Sequence, residues 1–134
     1  MREIESRAAL PIPANDSQVR HLKNAARKFD AEIPQAYLDF LQNHHNGFNW
    51  NGLFVYAAGG ETPRPNDFVF ENEGLRKDDD RFHDLLVFAE DDMSYYAFCI
   101  SEREFQVLDK IPMDVMDSFS SFDELFREAF QSRL

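Results

Sequence analysis

The sequence has little of what stabilises secreted or membrane-embedded chains. Its 134 residues include one cysteine, Cys99, so an internal disulfide is excluded. Its hydrophobic runs, such as residues 85–89, are far shorter than the roughly 20 residues that a helix needs to cross a bilayer. Residues 1–14 mix charged with apolar residues, so no signal peptide is expected. We therefore predict a soluble, cytoplasmic protein in which Cys99 is a small buried side chain.

Basic residues are also scarce, with 14 Lys and Arg against 25 Asp and Glu, which gives a net charge of -11. Nucleic acids and anionic membranes are bound by Lys and Arg, so this balance disfavours both as partners. An acidic surface instead favours fast encounter with a basic protein. The charge is concentrated, because residues 61–92 hold 11 acidic and four basic residues, a net of -7.

The apolar content is sufficient for one hydrophobic core. A composition of 43% hydrophobic and 14% aromatic residues supports a single domain over residues 1–134, with residues 1–14 as an irregular extension. There are no internal repeats. The glycines and prolines of residues 57–66 predict a loop within this domain rather than a linker between two.

Two helices are predicted in the first third of the chain. Residues 16–29 carry apolar side chains at helical spacing, and Asn15 or Asp16 can cap the first turn. The second helix starts at Pro34 and stops at Asn46-Gly47, where glycine accepts a left-handed conformation. The residues expected along its inner side are Ile33, Tyr37, Phe40, Leu41 and His44.

Extended segments dominate the middle of the chain. Residues 48–56 read as strand, turn and strand, with Asn51-Gly52 as the turn. Residues 68–77 permit a short helix that Gly74 would weaken. Three clearer strands are predicted over residues 85–89, 95–100 and 105–108, the first of them central because it is continuously apolar.

A final helix opens at a capping box formed by Ser121 and Glu124. Its apolar stripe consists of Phe122, Leu125, Phe126, Ala129 and Phe130. Helices first, then strands, then a helix predict an α+β domain with a mainly antiparallel sheet and helices packed on one face.

Several of these segments, in this order, resemble the SUKH superfamily. The matching residues at its start are Ile33-Pro34, Tyr37, Phe40-Leu41 and Asn46-Gly47. Residues 53–56 are similar to the family's first strand, residues 85–88 with Glu90-Asp91 to its central strand and acidic turn, and residues 119–130 to its closing helix. The similarity covers residues 19–130 and is closest to the YrhA-like branch around residues 46–48 and 51–53. One departure is Ala89, where the family commonly has glycine.

The resemblance implies an α+β fold with a central twisted sheet and a role as an immunity protein. Such proteins bind and neutralise a cognate polymorphic or contact-dependent growth inhibition toxin, here the toxin's C-terminal domain. The resemblance does not imply which toxin is bound. A regulatory or scaffold module without a toxin partner is the alternative, and the gene neighbourhood would separate the two.

No motif in the sequence demands catalysis, and no catalytic residue, cofactor or metal site is predicted. His44 and His45 are adjacent, so on a helix they point about 100 degrees apart and do not share a metal as an i, i+4 pair would. The acidic runs of residues 78–80 and 90–92 lack the spacing and glycine of a calcium-binding loop. An unrecognised hydrolase would need a pocket in which polar groups with shifted pKa values converge.

The acidic runs are therefore interpreted as a protein-binding surface, in which carboxylates stand where a basic toxin cleft would hold phosphates. The predicted contact residues are Trp50, Asp78, Asp79, Asp80, Glu90, Asp91 and Asp92. Tyr56, Tyr95 and Tyr96 are further candidate anchors, although burial in the core is the commoner role of such aromatic residues.

Overall fold

The computed structural model describes residues 12–60 and 64–131. The α-helices in these residues are α1 (Asp16–Ala25), α2 (Gln35–Asn43), α3 (Phe68–Asp78) and α4 (Phe122–Gln131), and short 3-10 helices span Ala26–Phe29 and Asp80–Asp84. The strands are β1 (Phe48–Trp50), β2 (Leu53–Val55), β3 (Leu85–Glu90), β4 (Ser94–Cys99), β5 (Glu104–Asp109) and β6 (Val115–Phe119). The predictions made for residues 1–11 lie outside the described residues.

The six strands form one sheet whose spatial order, β1 to β6, is their order along the chain. Every neighbouring pair is antiparallel. β3 lies inside the sheet between β2 and β4, and its first five residues are buried, which confirms the predicted central strand. The predicted α+β fold is confirmed.

The helices pack on one face of this sheet through aromatic contacts. The ring of Phe88 on β3 lies 4.8 Å from that of Tyr37 on α2 and 5.5 Å from that of Phe122 on α4. Phe68 at the start of α3 lies 6.1 Å from Phe29, which ends the 3-10 turn after α1. These rings belong to one hydrophobic core of buried residues.

The helix boundaries differ from the predictions in two places. Asn15 caps α1 through a reciprocal pair of hydrogen bonds with Gln18, 2.8 and 2.9 Å long, and the helix tightens into a 3-10 turn before Phe29. α2 ends at Asn43, three residues earlier than predicted, so His44 is exposed rather than on the inner side. Pro34 precedes α2 as its N-cap.

Gly47 does have the predicted left-handed backbone, with φ of 73°, but the reason differs from the predicted one. A Cβ atom at this position would lie 2.8 Å from the carbonyl oxygen of Val55 on β2. Glycine is therefore required by the close approach of two backbone segments, because α2 has already ended. The neighbouring Asn46 side chain bonds both backbone groups of Ala58, at 2.7 and 2.9 Å.

The other strands and the third helix follow the predictions, whereas β6 was missed. Asn51 and Gly52 both have positive φ, as a two-residue hairpin turn requires. Residues 68–77, where a short helix was predicted, lie within α3. A Cβ atom at Gly74 would meet open space. β6 is exposed over its first four residues and shows no alternation between buried and exposed positions, so the sequence carries no strand signal there.

Candidate protein-binding surface

Helix α3, which leads into the acidic run of residues 78–80, is attached to the sheet by the buried side-chain amide of Asn72. β2 pairs with only the last residues of β3, so the backbone of Val87 has no strand beside it on that side. The Asn72 side chain takes this place: its Oδ1 accepts from Val87 N at 2.8 Å, and its Nδ2 donates to Val87 O at 2.9 Å. Asn72 is 1% exposed. The sequence analysis missed this residue, because a polar residue in an amphipathic helix is normally assigned to the solvent side.

Arg76, one helical turn further along α3, strengthens the same attachment. Its Nη2 donates to Leu85 O at 3.0 Å, and its guanidinium lies 4.4 Å from the centre of the Phe29 ring. α3 therefore lies beside the part of β3 that β2 does not pair with. Its C-terminal residues, Asp78 and the following Asp79, are placed near the sheet.

The ring of Tyr95 links the acidic run of residues 78–80 to Glu90, because it contacts Phe82, which follows that run, and Tyr95 pairs with Glu90 across β3 and β4. Tyr95 lies on the sheet face opposite that of Phe105 and α4, where its ring is 5.2 Å from Phe82 of the 3-10 helix Asp80–Asp84. Burial raises the pKa of the Tyr95 phenol, and the charges of Glu90, Asp78 and Asp79 raise it further. The charges predicted at the end of α3 and at the end of β3 thus both act on the Tyr95 phenol.

Glu90 and Asp91 bond to the fold's own groups. Glu90 Oε2 accepts from the Tyr56 hydroxyl at 2.5 Å, and its Oε1 lies 3.4 Å from Lys110 Nζ. Asp91 Oδ1 accepts from the backbone N–H groups of Met93 and Ser94, at 2.9 and 2.7 Å, and so shapes the β3–β4 turn. Through these bonds Glu90 and Asp91 hold the surface in place, and their carboxylates also add negative charge to it.

Asp79 is also bound within the fold. Its carboxylate accepts three hydrogen bonds from the Arg81 side chain and one from Arg81 N, which lower the pKa of Asp79 to about 2. Asp78, Asp80 and Asp92 are exposed to solvent. Among the predicted acidic residues, these three present their carboxylates most fully to a partner.

Trp50 is a correction to the predicted contact set. It is 5% exposed, and its ring packs edge-on against Phe130 of α4 at 6.5 Å. On β1 the alternation of buried Phe48, exposed Asn49 and buried Trp50 turns the indole toward the helices. Tyr56 and Tyr96 are also buried, at 2% and 4%, which leaves the half-buried Tyr95 as the aromatic candidate for contact.

Glu71 is a further acid near this surface that the sequence analysis did not single out. Burial raises the pKa of the Glu71 carboxyl, and the charge of Glu90 raises it further. The Tyr56 phenol, bonded to Glu90, has its pKa raised for the same two reasons. A cleft lies elsewhere, between the α1–α2 connection and β4–β5, and is lined by neither Glu71 nor Glu90.

We expect Glu71→Gln to stabilise the protein slightly at neutral pH. The pKa of Glu71 is higher in the folded state than in the unfolded chain. The stability that depends on the protonated carboxyl is therefore complete at a pH below the pKa of the unfolded chain, and it is lost as the pH rises through the pKa of the folded state. The gain in free energy of unfolding at pH 7 should be below about 1 kcal/mol, since the half-buried carboxylate is partly screened by water. Urea unfolding at pH 7 and near pH 3 measures it.

The gain should disappear near pH 3, where the wild-type carboxyl is protonated and resembles the amide. Glu128→Gln, an exposed change on α4, is the matched control and should be neutral at both pH values. A gain of equal size at both pH values would contradict the assigned cause.

Cys99 is buried as predicted, at 6% exposure, and its Sγ lies 3.3 Å from Asp84 Oδ2. Within residues 12–60 and 64–131 there is no group of three or more His, Cys, Asp or Glu side chains arranged to hold a metal ion. None of the helices in these ranges has the length and apolar character to span a bilayer.

The fold and this surface define a small α+β domain with exposed carboxylates beside the ends of α3 and β3. Comparison with protein-family models and with curated proteins gives no match. The resemblance to the SUKH superfamily therefore stays a prediction that depends on the residues quoted for it.

Proposed function

We propose that this protein is an immunity protein of the SUKH type, which binds a cognate toxin domain and blocks it. The observation that carries the proposal is the contact of Phe82 with Tyr95, because it places the acidic run of residues 78–80 beside the end of β3, where Glu90 pairs with Tyr95. The α+β architecture agrees with the fold that the resemblance implies. Because one fold hosts many functions, the surface rather than the fold supports the binding role.

The proposed mechanism is occupation of a basic cleft. Toxins that cleave nucleic acids hold their substrate by its phosphates, so their clefts carry Lys and Arg. The exposed carboxylates of Asp78, Asp80 and Asp92 would contact these cations in place of phosphates, while the bonds that hold Glu90 and Asp91 keep the surface in one shape. A preformed surface loses less conformational freedom on binding than a mobile loop.

Charge also sets the rate of this encounter. The net charge of -11 attracts a basic partner at long range, and complementary charge can raise association rates by roughly 10- to 1000-fold at low salt. An inhibitor that must bind its toxin as soon as both are synthesised benefits from this speed. Binding should therefore weaken as ionic strength rises.

Co-expression tests the proposal. The toxin domain encoded next to this chain is expressed in a bacterial host with and without the protein, and growth is scored. We expect the toxin alone to stop growth, and co-expression to restore it and to yield a stable complex on purification. Failure to rescue growth against every neighbouring toxin domain, with both proteins present and folded, would reject the immunity role.

A further inference from the structure

Exposed apolar side chains gather at one end of the sheet. Met93 lies in the β3–β4 turn and is 69% exposed, Ile111 lies in the β5–β6 turn and is 85% exposed, and Val115 and Met116 on β6 are 50% and 62% exposed. Only two other large hydrophobic residues in the described ranges are exposed, Ile12 and Phe70. Four of the six thus fall on two turns and one strand.

The backbone brings these four residues together. Lys110 N donates to Met93 O at 2.9 Å, which joins the two turns, and Ser94 pairs with Asp109 across β4 and β5. Val115 pairs with Leu108 on the neighbouring strand. We call the surface made by Met93, Ile111, Val115 and Met116 the turn-edge patch.

The patch includes an open sheet edge. β6 is the last strand in the order, and no strand in residues 12–60 or 64–131 pairs with its outer side. An exposed edge offers unpaired backbone groups to another chain, and natural proteins usually protect such edges by shortening them or adding charge. The opposite edge, β1, is protected in this way: it has three residues, and two of them are buried. β6 has five residues and exposes Val115 and Met116.

Acidic residues flank the patch and define the partner's chemistry. Residues 109–117 carry Asp109, Asp114 and Asp117, and Asp92 precedes Met93 in the other turn. The one lysine among them, Lys110, lies over the Tyr95 ring at 5.0 Å and beside Glu90. An apolar strand edge bordered by carboxylates matches an extended segment in which Lys or Arg alternates with apolar residues.

We infer that β6 receives such a segment of a basic protein as a seventh strand of the sheet. The partner's backbone pairs with the outer edge of β6, its apolar side chains contact the turn-edge patch, and its cations face Asp92, Asp114 and Asp117. This inference rests on the proposed function in taking the toxin domain as the partner. It adds to the proposed function the place where the partner makes its first contact, because the turn-edge patch adjoins the acidic surface through Lys110 and Glu90.

The test is hydrogen exchange with two probes, the toxin domain encoded next to this chain and a synthetic extended peptide of alternating Lys and Val. We expect either probe to slow amide exchange within residues 115–119 by about tenfold or more, as new backbone pairing requires. Protection restricted to residues 78–92 would overturn the inference.

The double variant Val115→Lys and Met116→Lys provides the second readout. It should weaken binding of either probe by about 30-fold or more, because it removes apolar contact and adds like charge at the edge. Ile12→Lys, at a still more exposed apolar position next to Asn46 and away from β6, is the control and should bind as wild type. Unchanged affinity of the double variant, with its circular dichroism intact, would reject strand addition.

The two proposals fail in different ways. If the toxin domain binds wild type and the β6 double variant equally, strand addition is wrong and the immunity role stands. If the Lys-Val peptide protects β6 but no neighbouring toxin domain binds, the immunity role is wrong and the edge remains a binding site. A wild-type dimer that the double variant converts to monomer would mean that a second copy occupies the edge, which also overturns the inference.

Discussion

Replacing Asn72 by leucine is expected to lower the free energy of unfolding by about 3 kcal/mol. The leucine side chain has the same number and branching of heavy atoms, but it leaves the N–H and C=O of Val87 without the hydrogen bonds of 2.8 and 2.9 Å that Asn72 provides. Each buried backbone group left unsatisfied costs about 1–3 kcal/mol. Urea unfolding followed by circular dichroism measures the change.

Asn24→Leu is the control for this prediction, since Asn24 is an exposed residue of α1. It should shift stability by no more than about 0.5 kcal/mol. An Asn72 variant as stable as this control would show that α3 is held to the sheet by its apolar contacts alone. The acidic surface also depends on this attachment, because Asn72 fixes the helix that ends at Asp78.

The elements that could be predicted are those whose signal is local. The apolar spacing of α1 and α4 and the Asn51-Gly52 turn each act over a few residues, so the sequence contains the whole cause. Boundaries were harder. α2 ends at Asn43 because the chain then turns to bring Gly47 against β2, and that contact depends on residues further along the chain.

Two side-chain amides show what sequence patterns miss. Asn46 bonds both backbone groups of Ala58, and Asn72 bonds both backbone groups of Val87. Each completes a backbone edge that no strand covers. Their role follows from the tertiary arrangement, and a polar residue gives no sign in the sequence that it faces a strand edge instead of water.

The candidate site was predicted in part. The acidic character of residues 78–80 and 90–92 could be seen directly, and in the folded chain the charges of Asp78, Asp79 and Glu90 all raise the pKa of Tyr95. Whether a predicted contact residue is buried was harder to read from the sequence. Trp50 was placed among the contact residues as an aromatic anchor for the acidic surface, although its alternation with Phe48 already indicated an inward-facing position.

Reversing two exposed charges is the change with the largest expected effect on binding. Asp78→Lys combined with Asp92→Lys alters the net charge by four and places cations where the partner's own cations would lie. We expect affinity for the neighbouring toxin domain to fall by about 100-fold or more at low salt, mostly through slower association. The free energy of unfolding should stay within about 0.5 kcal/mol, because both side chains are exposed.

The matched control carries the same change of charge elsewhere. Asp39→Lys combined with Glu128→Lys alters exposed positions of α2 and α4, on the face of the sheet that the helices cover. Its net charge equals that of the first double variant, so a purely global effect of charge would weaken both equally. We expect the control to lose less than about fivefold in affinity, from long-range attraction alone.

The central claim, that a carboxylate surface beside the ends of α3 and β3 inhibits a basic protein, is tested most directly by the dissociation constant of the purified complex. It is measured for wild type and the two double variants at about 50 mM and 300 mM salt, where screening lengths differ roughly twofold. The account predicts tight wild-type binding that weakens with salt, and a large loss for the Asp78 and Asp92 variant that narrows at high salt. Equal affinity of the two double variants, or wild-type binding that salt leaves unchanged, would contradict it.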